Sequence, residues 1–333
     1  MTESDPPPGV LNRFLSQGDT SLRGRASDEL ALELLRRVRA DEMPDLVLAG
    51  LLGIELDRHA NRHLNRYSAQ YLSDLFHRLA VFPGRPTDIR GTTFVNLGCG
   101  SHHPLGLPMV FLMLGAQRAI SVDLDPPQEV AAGLFAIART AAAMLLDPKS
   151  LVGDLAVDRQ AILANLAGFD FRKLLAGDAS GIPANRLQFR LESVYGLEMA
   201  DASADFVVSN SLLEHLGDIE TAVSEMSRIT KVGGFGSHAI DGVDHRSYCD
   251  ATLHPLDFLR ERSSASLVHG SNRIRPLDFP QIFQRHGFEV VDCMPYGELA
   301  VTEAQRAGFS EPFRSMTMRH LIYGSARIVV RRV

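Results

Sequence analysis

Seven short apolar runs alternate with stretches of helical periodicity, and this alternation limits the fold more than any single motif does. The runs are TFVNL (93–97), AISVD (119–123), LQFRLE (187–192), ADFVVSN (204–210), GFGSHAI (234–240), FEVVDC (288–293) and one within HLIYGSARIVVRR (320–332). Strands separated by helices predict a largely parallel sheet covered by helices on both faces. Apolar strands without strict two-residue alternation fit a sheet buried on both sides. Between the second and third runs lie roughly 60 residues, far more than a single crossover helix needs. PQEVAAGLFAIARTAAAMLL and DRQAILANLAGF, both within that gap, have helical patterns, so a helical insertion is read over about 128–186.

Ahead of the first run the character differs. Residues 1–26 are polar and rich in Pro, Gly and Ser, the composition of a mobile tail. From Ser27 the apolar residues Leu30, Leu34, Leu35 and Val38 recur at helical spacing, and helical character resumes from Pro44 to Ala80. VFPGRPTDIRG then punctuates the chain, so 27–88 reads as a helical N-terminal region and 89–333 as the main domain. A chain of 333 residues with 45% hydrophobic residues has ample material for a core, and a net charge of -6 argues against a surface that coats nucleic acid. Three cysteines (Cys99, Cys249, Cys293) without a CxxC pair favour a reducing, cytoplasmic setting. MTESDPPPGV lacks the pattern of a signal peptide, and the most apolar run, Val130–Leu146, is interrupted by Arg139, so neither secretion nor a membrane span is read.

The first run breaks into FVNLGCGSHHPLG. Glycine at 98 and 100 allows close backbone approach to a ligand, and a helix starting near Pro108 would offer its N-terminal amides to an anionic group. The dinucleotide spacing GxGxxG would need glycine where His103 stands, and GxGxG would need it at His102. The second run ends in Asp123, 25 residues past Gly98, where a carboxylate can accept both hydroxyls of a ribose. Further on comes LESVYGLEMADASADFVVSNSLLEHLGDIETAVSEMSRITKVGG. Its Ile219, Ala222, Val223, Met226 and Ile229 form one apolar helical stripe, which Lys231-Val-Gly233-Gly234 is read as ending.

This succession of glycine loop, acidic second-strand end, LEH, amphipathic helix and K-x-G-G resembles the class I methyltransferases that use S-adenosylmethionine (SAM), over roughly residues 92–240. The resemblance implies a Rossmann-like α/β fold with a seven-stranded, doubly wound sheet whose last strand is antiparallel. It also implies residue roles. Gly98, Cys99 and Gly100 would pass under the methionine part of SAM, Asp123 would hold the ribose, and Leu124 and Asp125 would lie beside the adenosine. Ser193 and Val194 would line the adenine, while Asn210 and Ser211 would face the methionine end and the methyl group. Asn96 stands where the family usually has an acid, so the SAM amino group would be held through an amide or water.

The stretch after the fifth run, DGVDHRSYCDATLHPLDFLRERSSASLVHGSNRIRP, resembles a lineage of these enzymes, found among glycan and natural-product pathways, with DH, HPxxFL and NRxR motifs. His245 is the first candidate for a general base, oriented by Asp244 or Asp241, or else a loop cap. His215 either borders the acceptor or seals the start of the following helix. His254, Asn272, Arg273 and Arg275 are candidates for the acceptor site; the arginines would clamp a carboxylate or phosphate, or instead pair with Asp278 or a neighbouring acid. Arg58, Arg62 and Arg66, near Tyr67 and Tyr71, form one helical face, either a cationic lid or a solvated surface. Adjacent side chains on extended backbone diverge, so His102 and His103 do not readily share one ion, and no metal site is read. The sequence thus reads as a SAM-dependent methyltransferase acting on oxygen or nitrogen of a small polar metabolite, sugar-containing or a natural-product intermediate, with no nucleic-acid or membrane partner. Two rivals remain open at this point: an NAD(P)-dependent oxidoreductase, which leaves the LEHL–KVGG block unexplained, and a non-catalytic SAM-fold partner subunit.

Overall fold

The computed structural model describes residues 69–333 apart from 87 and 147. The tail read over 1–26, the arginine face at 58–66 and most of the helical region read over 27–88 lie outside the described residues. Seven strands form a mixed sheet in the order β3-β2-β1-β4-β5-β7-β6. By its contacts the chain divides into two compact units, 69–77 with 87–191 and 78–86 with 192–333 among the described residues.

The first unit takes helix α1 (Ala69–Ala80) as far as His77 and continues through β1 (Thr93–Leu97), α2 (Gly106–Met113), β2 (Arg118–Asp123), α3 (Val130–Leu146), α4 (Lys149–Val152), α5 (Arg159–Asn165) and α6 (Phe171–Leu175) to β3 (Leu187–Leu191). β1 pairs with β2 and β2 with β3, both parallel, with Val95 opposite Ile120 and Ser121 opposite Phe189. Helix α2 is apolar all round and buried along its whole length, as a helix enclosed by protein on every side must be. Phe94 of β1 stacks on Phe111 of α2 with ring centroids 3.7 Å apart, and Phe76 packs against Phe111 from α1. Between β2 and β3, α3 packs on α2 and α6. Asp158 and Asp170 start α5 and α6 by accepting amide hydrogens from Gln160 and Lys173. No helix among the described residues is long and apolar enough to cross a membrane.

The second unit contains β4 (Ala204–Asn210), α7 (Ile219–Ile229), β5 (Thr230–Asp241), α8 (Phe279–Arg285), β6 (Phe288–Glu298), α9 (Glu303–Ala307), α10 (Met318–Ile322) and β7 (Tyr323–Arg332). β4 and β5 are parallel, whereas β7 runs antiparallel to both β5 and β6, the arrangement the family resemblance implies. Asp218 caps α7, accepting from the Thr221 amide at 3.0 Å, and the stripe Ile219, Ala222, Val223, Met226 and Ile229 is buried. Lys231–Gly234, read from sequence as the end of this helix, belongs instead to the start of β5; the helix stops at Ile229. Lys231 is held there by Asp205, with Nζ–O distances of 2.7 and 2.8 Å. In the core of this unit, His238 shares a 2.8 Å hydrogen bond with Ser209 and stacks on Phe283.

Phe94→Ala should lower unfolding stability by about 3–5 kcal/mol, because it removes a stacked ring and leaves a cavity. Denaturant titrations of the two proteins, compared at matched slope, measure the loss.

Candidate active site

In the first unit, β1 ends at a loop that only glycine adopts without strain. Gly98 has φ 62° and Gly100 has φ 74°, both in the left-handed region where a side chain is disfavoured. The Gly98 amide donates to the Val122 carbonyl at 2.9 Å and the Cys99 amide to the same oxygen at 3.4 Å. The Gly100 amide donates to Asp123 Oδ2 at 2.7 Å, and the Asp125 amide to Asp123 Oδ1 at 3.0 Å. Both carboxylate oxygens are therefore oriented by backbone, and each keeps a lone pair for a further donor. Asn96 is buried beneath the loop, and Leu124 and Asp125 are exposed beside Asp123. Burial, and next the Asp123 charge, push the Cys99 thiol up, so it stays protonated.

The two histidines after this loop take different places. His103 is buried, and its ring packs against the start of α2: a Cβ at Gly106 would lie 2.5 Å from His103 Nε2. Burial, and then the positive charge of Arg139, lower its pKa to about 3, so the ring is neutral. His102 is half-buried and lines a cleft with Asn96, Cys99, Gly100 and, from α1, Tyr71, Leu72 and Leu75. Among the described residues, neither histidine belongs to a group of three potential metal ligands.

In the second unit, polar groups gather where β4 and β5 end. Ser211, just past β4, has φ 51°, a conformation unusual for a side-chain-bearing residue, and its amide donates to Ala239 at 2.8 Å. Asn210 accepts from Arg78 at 3.4 Å. Leu213–His215 then forms a 3-10 turn. It buries Glu214, whose Oε1 accepts from the Asp241 amide at 3.2 Å. His215 is exposed, and its Nδ1 donates to the Gly270 carbonyl at 2.7 Å. Because α7 is capped by Asp218, His215 does not seal that helix.

Past β5, His245 opens a second 3-10 turn, His245–Tyr248. Its ring stands 4.9 Å from that of His215, and its Nε2 lies 3.5 Å from Asp241 Oδ2. Asp241 also accepts from Tyr248 at 2.5 Å. The Asp241 carboxylate holds the His245 imidazole above its usual range, with burial opposing. Burial works against the charge of Asp241 too, but His245 and Tyr248 outweigh it and hold that carboxyl below its usual range. Burial pushes Glu214 up to about 8. Asp244 does not orient His245: its fully buried carboxylate is taken by Arg246, at 2.6 and 2.9 Å. Asp241, at the end of β5, has that position.

A family model for a methyltransferase domain matches residues 152–236. That match spans about a quarter of the chain, from α4 in the first unit to the middle of β5 in the second. The seven-stranded mixed sheet agrees with the fold that the resemblance implies. No curated protein matches the sequence. Solved structures similar to it include a complex between the Haloferax volcanii Trm112 methyltransferase activator and a methyltransferase (17% identity, 83% of this chain and 95% of that one, TM-score 0.40). Others are SAM-dependent methyltransferases from Listeria monocytogenes (10% identity, 74% and 93% covered, TM-score 0.37) and Mesorhizobium loti (13% identity, 74% and 93% covered, TM-score 0.38).

In the second unit the remaining sequence candidates are occupied by the protein's own backbone. His254 donates from Nε2 to Ala300 at 3.0 Å and accepts at Nδ1 from the Leu256 amide at 3.1 Å. Asn272 donates to the carbonyls of Leu213 and Leu216 at 2.7 and 3.0 Å, holding the turn that carries Glu214 and His215. Arg273 donates to Glu261 and Ser263 carbonyls at 2.8 and 2.9 Å, with Phe313 under its guanidinium. Arg275 is fully buried and donates to Gly242, Tyr323 and His320 carbonyls; burial lowers its pKa to about 10. Neither arginine pairs with Asp278, which lies 3.5 Å from His320. Ser193 and Val194 follow β3, half-buried and buried, with Ser193 Oγ accepting from the Tyr195 amide at 3.3 Å. Glu214 is the residue that sequence reasoning passed over, although it stands in LEH next to a residue singled out there. Asp241 carried a usable signal: an acid at a strand's carboxyl end, four residues before a histidine.

His103 and His238 are both held near 3 by burial, against an ordinary histidine value of about 6.5. Below about pH 6.5 the unfolded chain takes up these protons and the folded chain does not. Their stabilising contribution is therefore full above that pH and is lost on acidification, by up to about 1.4 kcal/mol per pH unit for each ring. Unfolding free energies measured between pH 7 and pH 5 should fall accordingly, and His238→Asn should flatten the slope by about one proton.

Proposed function

We propose that this protein transfers the methyl group of SAM to an oxygen or nitrogen atom of a small polar metabolite in a reducing, cytoplasmic compartment. The observation that carries the donor side is the hydrogen bond from the Gly100 amide to Asp123, which locks a carboxylate against a left-handed glycine loop. That arrangement fits SAM: Asp123 has lone pairs for the two ribose hydroxyls, and Gly98 and Gly100 present backbone without side chains to the methionine portion. Asn96, an amide where the family usually has an acid, offers its carbonyl oxygen to the amino group. Leu124 and Asp125 would flank the adenosine, Ser193 and Val194 the adenine, and Asn210 and Ser211 the methionine end. The reducing compartment is supported by three free cysteines.

SAM supplies an electrophilic methyl group on a sulfonium. A nucleophile held in line at about 3–3.5 Å is then sufficient for transfer, provided that it carries no competing proton. Removing that proton is the part assigned to the polar centre of Asp241, His245, Glu214 and His215. Asp241 orients the imidazole and stabilises its positive charge, as a buried carboxylate does beside a general base. Asp244 acts one step away: it caps the His245–Tyr248 turn and fixes Arg246, which makes it a positioning residue. Asn272, Arg273, Arg275 and His254 support the walls of the acceptor site through backbone carbonyls.

Incubation with methyl-labelled SAM and a metabolite extract, followed by mass spectrometry, should yield one labelled small product. Absence of SAM binding in calorimetry would overturn the reading. Asp123→Ala should weaken SAM at least about tenfold, the scale of losing a charge-assisted hydrogen bond. His245→Ala should lower kcat by about 10²–10⁴, the usual contribution of a general base, while leaving SAM affinity unchanged.

A further inference from the structure

Glu214, His215 and His245 each bring a ligand-type atom to one place, and these atoms all lie within 4.8 Å of one another. Two come from the turn after β4 and one from the turn after β5. Unlike His102 and His103, Glu214 and His215 are neighbours on a tight turn.

Three further observations point to a bound cation. First, Glu214 is 1% exposed and only its Oε1 is satisfied; Oε2 is buried without a hydrogen-bond donor. A buried carboxyl oxygen without a partner costs free energy, and a cation bound at that oxygen removes the cost. Second, the tautomer of His215 is set. Its Nδ1 faces the Gly270 carbonyl, which can only accept, so Nε2 carries the lone pair that a metal needs. Third, His245 has a carboxylate, Asp241, at its ring edge, the same outer partner that orients metal-bound imidazoles. The turn is also held firm, by Asn272 on the Leu213 and Leu216 carbonyls.

We propose that Glu214, His215 and His245 form a binding site for one divalent first-row transition-metal ion, zinc being the ion best suited to the set. Two imidazoles and one carboxylate are the donor number of a catalytic zinc site that leaves its fourth position open. Ligands about 2.0–2.1 Å from one ion stand no more than about 4.2 Å apart, so binding would draw the widest pair together by side-chain rotation. The role of the ion, though not its binding, rests on the methyltransferase function proposed above. An acceptor hydroxyl coordinated at the open position is acidified. With the ion bound, His245 serves as a ligand in place of its role as base: the hydroxyl gives its proton to water, its oxygen bonds to the methyl carbon of SAM, and the carbon–sulfur bond breaks with its electron pair left on sulfur. The acceptor class is then an alcohol or phenol.

The test uses the full chain stripped with a chelator and titrated with zinc against a chromophoric competitor. One zinc should bind per chain with sub-micromolar affinity. Glu214→Gln and His245→Asn should each weaken it more than about a hundredfold, beyond the range of orienting partners alone. His286→Ala, at the surface ion pair with Glu220, should leave it unchanged. Circular dichroism establishes that each variant is folded, and cobalt substitution of the unaltered protein should give the visible bands of a four-coordinate ion. Absence of saturable binding, or equal affinity in folded Glu214→Gln and His245→Asn, overturns the site. SAM calorimetry on the same preparations separates the two ideas: zinc bound without SAM binding supports the site and refutes the function, and SAM bound without zinc does the reverse.

Discussion

Parallel strands finish at loops, and those loops need partners for the backbone groups that no further strand supplies. In the second unit the segment Asn272–Arg275 supplies many of them. Asn272 uses both its amide hydrogens on the LEH turn, and its oxygen accepts from the Ile274 amide at 3.0 Å. Arg275, wholly buried, spans from the Gly242 carbonyl after β5 to the Tyr323 carbonyl at the start of β7. A buried carbonyl that loses its donor costs about 1–3 kcal/mol, so these side chains determine where the turns can lie. The positions of Glu214, His215 and His245 follow from them. Burial lowers the pKa of this guanidinium, and the charge of Asp278 offsets only part of that.

The glycine loop of the first unit imposes the equivalent constraint there. Gly98 and Gly100 turn the chain through left-handed conformations, and the turn delivers an amide to Asp123. His103 has no visible part in that chemistry. It fills the space left by the missing side chain of Gly106, as a neutral ring in the core. The adjacent histidines that look most like a chemical motif in the sequence thus include one with a packing role. The histidines that do meet, His215 and His245, are separated by 30 positions in the chain.

Much of the fold was legible before any coordinates. All seven strands lie where apolar runs predict them, with β1 and β4 matching residue for residue; β1, β2 and β4 are buried along most of their length, as continuous apolar chain requires, whereas β6 is largely exposed. The stripe of α7 was equally plain. What failed was local: Lys231–Gly234 has the composition of a helix end but pairs as strand, since Lys231 is drawn to Asp205, a contact 26 residues away. The candidate site was legible in part. Gly98, Gly100, Asp123 and His245 could be chosen because strand ends and glycine spacing mark them. Asp244 and Asp241 both stand near His245 in the sequence, and the short turn sends the Asp244 side chain to Arg246 instead.

The sequence by itself determined the strand–helix alternation, the conformations open to Gly98 and Gly100, and the acid at the end of β2, all properties of short segments and their periodicity. Only the tertiary structure decided which polar side chains act on one another. Arg273 and Arg275 read in the sequence as a clamp for an anionic group or as partners of Asp278 or a neighbouring acid, and their destination is backbone carbonyls. Glu214 reads as an ordinary acid, and its destination is a buried position beside two imidazoles. The physical reason is that charge and hydrogen bonding are settled by burial and by distances of a few ångströms, and neither is a function of separation along the chain.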